Sequence, residues 1–241
     1  MKRIFLEKIT DELTISGADA NHLARSLRAR RGDKITAVDG AGNCAVLELI
    51  DFDKETIKAR RVSMIQKVSV ERKITLADCL PKKQSRLDNI IEKATELGVD
   101  KIEPLISERT IVRLGGARLQ TRLERWQRIA KEAAEQCARD TIPEIGEVRT
   151  LNDWLKNLPP LDDTLLLFCW EQEQSTTVRE VLRANIDKNI IVLIGPEGGF
   201  TEREVVDITF AGGISVTLGK RILKTDTAAI SVLAMINYEQ M

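Results

Sequence analysis

The apolar positions change their rhythm part-way along the chain. Up to about residue 70 they fall into short strand-like runs at residues 4–6, 34–38, 44–50 and 56–62, with one helix over 18–27 and a hairpin turn at 39–43. Residues 64–72 are polar, charged and without period, and mark a domain boundary. Beyond it, apolar runs alternate with segments of helical spacing. Strands are expected at 74–80, 102–106, 164–169, 190–194 and 214–218, and helices at 85–97, 117–139, 151–158, 175–184 and 229–238, with a further helix after Thr201. Ser85 with Asp88 three residues on suits a helix start, Gly98 suits its end, and Thr201 with Glu204 has capping-box spacing. Strand-helix alternation argues a parallel α/β sheet over 71–241, after a small β-rich domain over 1–70.

Two of the expected strands end in glycine-bearing loops. Ile190-Ile191-Val192-Leu193-Ile194 stops at Gly195-Pro196-Glu197-Gly198-Gly199-Phe200, and the strand at 214–218 gives way to Gly219-Lys220-Arg221-Ile222-Leu223-Lys224-Thr225-Asp226-Thr227-Ala228. Two such units side by side make a ligand crevice at the carboxyl ends of parallel strands. Neither loop has the glycine spacing of a dinucleotide fingerprint or a P-loop, and a Glu between the glycines repels phosphate. It tolerates a neutral or cationic ligand. Glu171, at the carboxyl end of strand 164–169, is either an exposed loop carboxylate or a group of the same crevice. Lys82, Lys83 and Arg86 stand at another strand end, where either substrate docking or a solvated loop accounts for them.

Composition narrows the partner. The chain has 241 residues, 43% hydrophobic and 31% charged, with 37 basic and 37 acidic side chains, so a nucleic acid must be met by local basic patches. One patch lies at residues 21–34, where Arg25, Arg28, Arg30, Arg31 and Lys34 face Asp33 alone; a solvated helix end is the other account of it. A second follows Arg109, with Arg113, Arg118, Arg122, Arg125, Arg128, Lys131 and Arg139 along a helix whose apolar stripe includes Trp126. Trp126 reads as core. Cys44, Cys79, Cys137 and Cys169 are widely spaced and His22 is the lone histidine, which argues against a zinc site or a disulfide framework and suits a reducing cytosol. His22 reads as structural. No apolar run approaches the length of a membrane span, and the first residues do not read as a signal peptide.

The two loop motifs together resemble the signature pair of the RsmE family of ribosomal RNA (uridine-N3) methyltransferases, of the SPOUT class. Glu96-Leu97-Gly98, the helix from Arg125-Trp126 to Arg139, and His22, Leu27, Arg28, Gly32 and Asp33 extend the likeness over most of the chain. The resemblance implies a PUA-like RNA-binding β-barrel domain at 1–70 and a methyltransferase domain with a deep trefoil knot at 71–241. It implies S-adenosylmethionine held by Ile194, Gly195, Glu197, Gly198, Gly199, Leu218, Gly219, Ile222 and Leu223, without a metal. The implied acceptor is N3 of a uridine in 16S ribosomal RNA near the decoding centre. Its imide proton must leave, so Arg221, with Arg28, is expected to stabilise the uridine anion while Glu171 or Glu197 handles the proton. RNA contacts are expected from Arg25, Arg28, Arg30, Lys82, Lys83, Arg125 and Arg139. A cytoplasmic homodimer is implied, and the largely apolar segment 228–235 suits a helix buried on several sides, by a partner or within the monomer. Where the family pattern has Arg and Glu, this chain has Lys224 and Asp226. Lys224 loses bidentate contacts and Asp226 is one methylene shorter, which leaves helix capping as their alternative role. An RNA-binding assembly factor with a vestigial pocket and a small-molecule enzyme are the competing readings.

Overall fold

The computed structural model describes residues 2–6, 8–39, 43–53, 55–65, 72–112 and 117–240. The tip of the hairpin at 39–43, most of the segment 64–72 and the glycine-rich stretch 113–116 lie outside them. The chain divides into two compact units, Met1–Val70 with Ala134–Ile142, and Glu71–Ala133 with Pro143–Met241.

The first unit holds β1 (Lys2–Phe5), β2 (Glu12–Ser16), α1 (Gly17–Asn21), a π-helical turn His22–Ser26, β3 (Lys34–Val38), β4 (Cys44–Phe52) and β5 (Thr56–Ile65). Its sheet runs in the order β1-β3-β4-β5-β2, parallel between β1 and β3 and antiparallel elsewhere. Ile4, Ile15, Leu23, Ile35, Leu47, Leu49 and Ile57 are buried together on one face of it. β2 escapes the sequence reading because only Ile15 of its five residues is buried, too little for an apolar period. The helix expected at 18–27 splits into an α and a π part. Arg28, just past the π turn, has φ of 49°, a left-handed backbone rare for a long side chain. Ala134 and Ile142 of the returning segment pack on Phe5, Val38 and Cys44, and Asp140 pairs with Arg3. A single cut in the sequence cannot represent that return.

The second unit contains β6 (Ile74–Cys79), α2 (Gln84–Glu96), β7 (Lys101–Ile106), α3 (Ala117–Gln136), β8 (Glu144–Ile145), β9 (Arg149–Thr150), α4 (Leu151–Lys156), β10 (Thr164–Cys169), α5 (Val178–Arg183), β11 (Asn189–Ile194), α6 (Glu202–Phe210), β12 (Ile214–Val216) and α7 (Thr225–Gln240). The strands order as β12-β10-β11-β6-β7-β8, with β9 also on β7, and every pairing is parallel. That is the α/β sheet the alternation predicts. β10 and β11 are covered on both faces, hence their unbroken apolar runs.

Local signals succeed where their partners are near in sequence. Thr201 and Glu204 form both halves of the capping box, and Gly98 closes α2 with φ of 87°. Ser85 does not cap α2: the helix starts one residue earlier, with Lys83 at the cap position and no side-chain bond to it. α3 ends at Gln136, so Arg139 lies beyond the helix, and α7 starts at Thr225 rather than at residue 229. The two glycine loops are not on adjacent strands either. β10 lies between β11 and β12, which sets the end of β10 in the middle of the crevice.

Candidate active site between two glycine loops

The carboxyl ends of β10, β11 and β12 open into a cleft of about 560 Å³. Its wall comprises Cys169-Trp170-Glu171 after β10, Ile194 to Phe200 after β11, and Val216 to Thr225 after β12. Ile194, Gly195, Glu197, Gly198, Gly199, Leu218, Gly219, Arg221, Ile222, Leu223 and Glu171 thus surround one space. A pocket of this size at the ends of parallel strands suits a small-molecule ligand.

The first loop is braced from four directions. Gly199 donates to the Pro196 carbonyl at 2.9 Å and takes φ of +68°, a turn conformation that glycine adopts without strain. A Cβ there would lie 2.4 Å from Glu171 Oε1, so the glycine also admits Glu171 to the cleft. Arg109 Nη1 donates to the carbonyls of Gly198 (2.8 Å) and Phe200 (3.3 Å). Glu197 accepts from the Lys82 amide (3.0 and 3.1 Å to its two oxygens) and from Arg86 Nη1 (2.6 Å). Thr201 and Glu204 tie the loop's end to the turn at Glu108, whose amide donates to Glu204 Oε1 at 2.7 Å. Inside, the Phe200 ring meets Phe168 edge-on, with centroids 6.3 Å apart.

The second loop is held lightly. Gly219 (φ +109°) donates to Thr217 Oγ1 at 3.2 Å. Lys220, Arg221 and Lys224 are exposed, and Ile222 is 86% exposed, while Leu223 is half-buried and Thr225 buried. Beside it, Glu173 accepts from Ser215 Oγ (2.5 Å), the Ser175 amide and hydroxyl (2.9 Å each) and the Thr176 amide (3.1 Å). Those donors, Ser215 foremost, pull the Glu173 carboxyl down to about 2.

One carboxyl is anomalous. Asp78, beside Ile194 in the sheet, is fully buried and neither of its oxygens has a hydrogen-bond partner. Burial pushes it well above the usual carboxylate range, and the charges of Glu197 and then Asp226 push it the same way. Asp226 Oδ1 and Thr225 Oγ1 are likewise buried without a partner, so that oxygen of Asp226 caps nothing.

The basic residues divide. In the first unit Arg25, Arg28 and Arg30 are exposed around the π turn, and Arg139 is half-buried, donating to Thr141 Oγ1 at 3.3 Å. In the second unit Lys82 and Lys83 are exposed, whereas Arg125 is tied to Asp88 Oδ2 (3.1 and 2.8 Å). Arg113 and the side chain of Arg118 lie outside the described residues. Trp126 is buried in the core, and His22 is part-exposed. Among the described residues no disulfide joins the four cysteines. Among the described residues no group of three or more His, Cys, Asp or Glu is placed to hold a metal ion, and no helix is long and apolar enough to cross a membrane.

Arg109 is the functional side chain that charge counting misplaces: it ranks there with the RNA-facing arginines, yet it grips the first loop. Asp78 leaves one sequence signal, a carboxylate inside the apolar run Ile74-Thr75-Leu76-Ala77-Asp78-Cys79-Leu80.

A family model described as an RNA methyltransferase domain matches residues 69–237, and one described as an RNA methyltransferase PUA domain matches residues 15–60. The chain is 30% identical over 253 residues to the ribosomal RNA small subunit methyltransferase E of Bacillus subtilis, covering 99% of this chain and 97% of that one. It is 34% identical over 230 residues to its namesake in Synechocystis, covering 93% and 72%. Among solved structures, the ribosomal RNA small subunit methyltransferase E of Neisseria gonorrhoeae bound to S-adenosylmethionine superposes with a TM-score of 0.87 at 31% identity, covering 99% and 98%. A methyltransferase of Legionella pneumophila with the same bound cofactor superposes with a TM-score of 0.81 at 26% identity, covering 99% and 97%.

Proposed function

As the chain belongs to the ribosomal RNA small subunit methyltransferase E family, we propose that it methylates N3 of one uridine in 16S ribosomal RNA, using S-adenosylmethionine bound between the two glycine loops. The observation that carries this reading is the cleft itself, walled by both loops and by the end of β10. S-adenosylmethionine, when bound, supplies the methyl group together with the cationic sulfonium that gives it up. The wall suits such a ligand: Glu171 and Glu197 line it, and Gly195, Gly198 and Gly219 bring backbone to its surface without an intervening side chain. Ile194, Gly195, Gly198, Gly199, Leu218, Gly219 and Leu223 are the proposed cofactor contacts, with Ile222 as an exposed flap over them.

Of the three proposed chemical groups, Arg221 faces the cleft unencumbered, and its guanidinium would favour the deprotonated uridine by charge. Glu171, exposed and beside Gly199, is the proton acceptor we favour. Glu197 has both oxygens committed to Lys82 and Arg86, so we assign it to bracing the loop rather than to proton transfer. Burial holds the Cys169 thiol up at about 12, so it stays protonated and does not compete as a methyl acceptor. Arg25, Arg28, Arg30 and Arg139 in the PUA-like part, and Lys82 and Lys83 beside the cleft, are proposed phosphate contacts. Arg125 is a weaker candidate, because Asp88 already takes its charge. We place the target uridine near the decoding centre and the enzyme in the cytoplasm as a homodimer. Exposed Met235 and Tyr238 on α7, beside a groove of about 690 Å³, offer such an interface. A knotted crossing of the glycine loops completes the proposal.

The test is methyl transfer from labelled S-adenosylmethionine to unmodified small subunits and, in parallel, to deproteinised ribosomal RNA, with nucleoside analysis. The expected product is 3-methyluridine, and the better substrate tells when in assembly the enzyme acts. Label in another nucleoside would overturn the uridine assignment while leaving the cofactor site intact.

A further inference from the structure

Ile222 lies over the cofactor contacts, and cofactor binding gives its outward side nothing to meet. Large apolar side chains stand exposed at several places among the described residues, but Ile222 alone of them lines the cleft. It is 86% exposed, whereas its neighbour Leu223 is half-buried, so the two apolar residues divide between the mouth of the cleft and its wall. Exposed Lys220 and Arg221 precede Ile222 and exposed Lys224 follows it, with no acidic residue from Gly219 to Lys224. In a chain of zero formal net charge, three cations in so short a loop make a local field for an anionic partner. The described hydrogen bonds hold the loop near its ends, from the Gly219 amide to Thr217 Oγ1 at 3.2 Å and from the Ala228 amide to the Lys224 carbonyl at 2.8 Å.

An apolar side chain held out to water among cations fits a partner that is anionic outside and apolar within. Stacked RNA has that character, with phosphates along the rim and base faces inside. The acceptor proposed above makes a matching demand. N3 of uridine lies on the edge used for base pairing, so a cleft at the ends of parallel strands reaches it only when the base is unpaired and turned out of its stack. A gap is then left between the neighbouring bases. Isoleucine can fill it with apolar surface, and its branched Cβ already restricts the side chain to few rotamers, so little freedom is lost on insertion.

We propose that Ile222 is a wedge: it enters the RNA stack in place of the target uridine and holds that base in the cleft, while Lys220 and Lys224 meet the phosphates on either side. The inference rests on the RNA methylation reading above. Lys224, where the family pattern has Arg, loses nothing in this task, because a phosphate needs a charge more than a fork. Arg221 stays with the base. Ile222 is a positioning residue, acting through the base that it displaces.

The test compares wild type, Ile222→Ala and Ile222→Val on whichever of small subunits and deproteinised ribosomal RNA the wild type methylates better. Single-turnover methyl transfer at saturating RNA should fall about tenfold to hundredfold in Ile222→Ala, the scale of losing part of the unstacking energy, and Ile222→Val should recover most of it. Dissociation constants for S-adenosylmethionine and RNA, melting temperature and sedimentation should stay near wild type. The direct reading is 2′-hydroxyl acylation of the RNA bound in the presence of S-adenosylhomocysteine. Wild type should raise the reactivity of the nucleotides flanking the methylated uridine, and Ile222→Ala should not. An Ile222→Ala variant with undiminished rate, or with flanking reactivity raised as in wild type, overturns the inference alone. So does a loss that follows the cofactor dissociation constant, which makes Ile222 a cover for the cofactor, or one that follows dissociation of a dimer, which makes it a subunit contact. No methylation of either RNA by the wild type overturns the acceptor reading and the inference with it.

Discussion

The two loops that face each other across the cleft are built to opposite standards. The first, Gly195 to Phe200, is locked by Arg109, Arg86, the Lys82 amide and a capping box, in contact with a buried aromatic pair. The second, Gly219 to Lys224, carries three exposed cations and one exposed Ile222, with no side-chain partner for Arg221 among the described residues. A ligand-binding wall gains from being rigid, because nothing then has to be ordered on binding. A loop that must meet both a cofactor and an RNA base gains from staying loose until both are present, and low local stability is the physical form of that freedom.

This contrast can be broken at either side. The largest expected effect is at Arg221: Arg221→Ala should lower kcat about 10²- to 10³-fold, leaving the cofactor dissociation constant and the melting temperature near wild type in binding and thermal assays. A variant of undiminished turnover would remove Arg221 from the chemistry. Gly199→Ala comes next. The added Cβ meets Glu171 and the backbone is left-handed, so we expect about 1–3 kcal/mol of destabilisation by chemical denaturation and a marked loss of cofactor affinity. Gly219→Ala has open space around its Cβ but a φ of +109°, so it should cost about 1–3 kcal/mol of backbone strain in the same assay, without a clash against a neighbouring side chain. Arg109→Ala should weaken cofactor binding by about tenfold, the scale of one charged hydrogen bond to a carbonyl, with kcat little changed; Arg109→Lys should recover part of it. The smallest effect concerns Glu173. Its carboxyl is depressed in the fold, so its contribution is complete above the unfolded value of about 4.3 and fades as pH falls towards about 2. Glu173→Gln should therefore melt lower than wild type at neutral pH, with the difference closing as the pH falls through that window.

Arg28 sharpens the comparison from the RNA side. Its left-handed backbone sits in an exposed basic turn, and such strain accompanies functional sites more often than structural ones. Arg28→Ala should weaken RNA binding across sequences and reduce the salt slope by about one, without touching cofactor affinity.

How much of this was legible in the chain follows from distance along it. Apolar runs covered on both faces, the Thr201–Glu204 box and the glycine turns depend on neighbours within a few residues, so the parallel sheet and both loops could be read directly. β2 could not, because its one buried residue carries no period, and Ser85 gave a false cap because the helix had already begun at Gln84, after the extended Lys83.

The sequence by itself determined the elements, the two glycine loops and the residue types that face a ligand, since these rest on local backbone preference and on which side chains avoid water. Only the tertiary structure decided that β10 stands between the loop-bearing strands, that Arg109 reaches Gly198 across 89 residues of chain, that Glu197 is spent on Arg86, and that Asp78 is buried unpaired beside the cleft. Each of these is a contact between segments far apart in the chain. Side-chain chemistry says what such a contact can be, but only the packing of the whole sheet chooses which one is made.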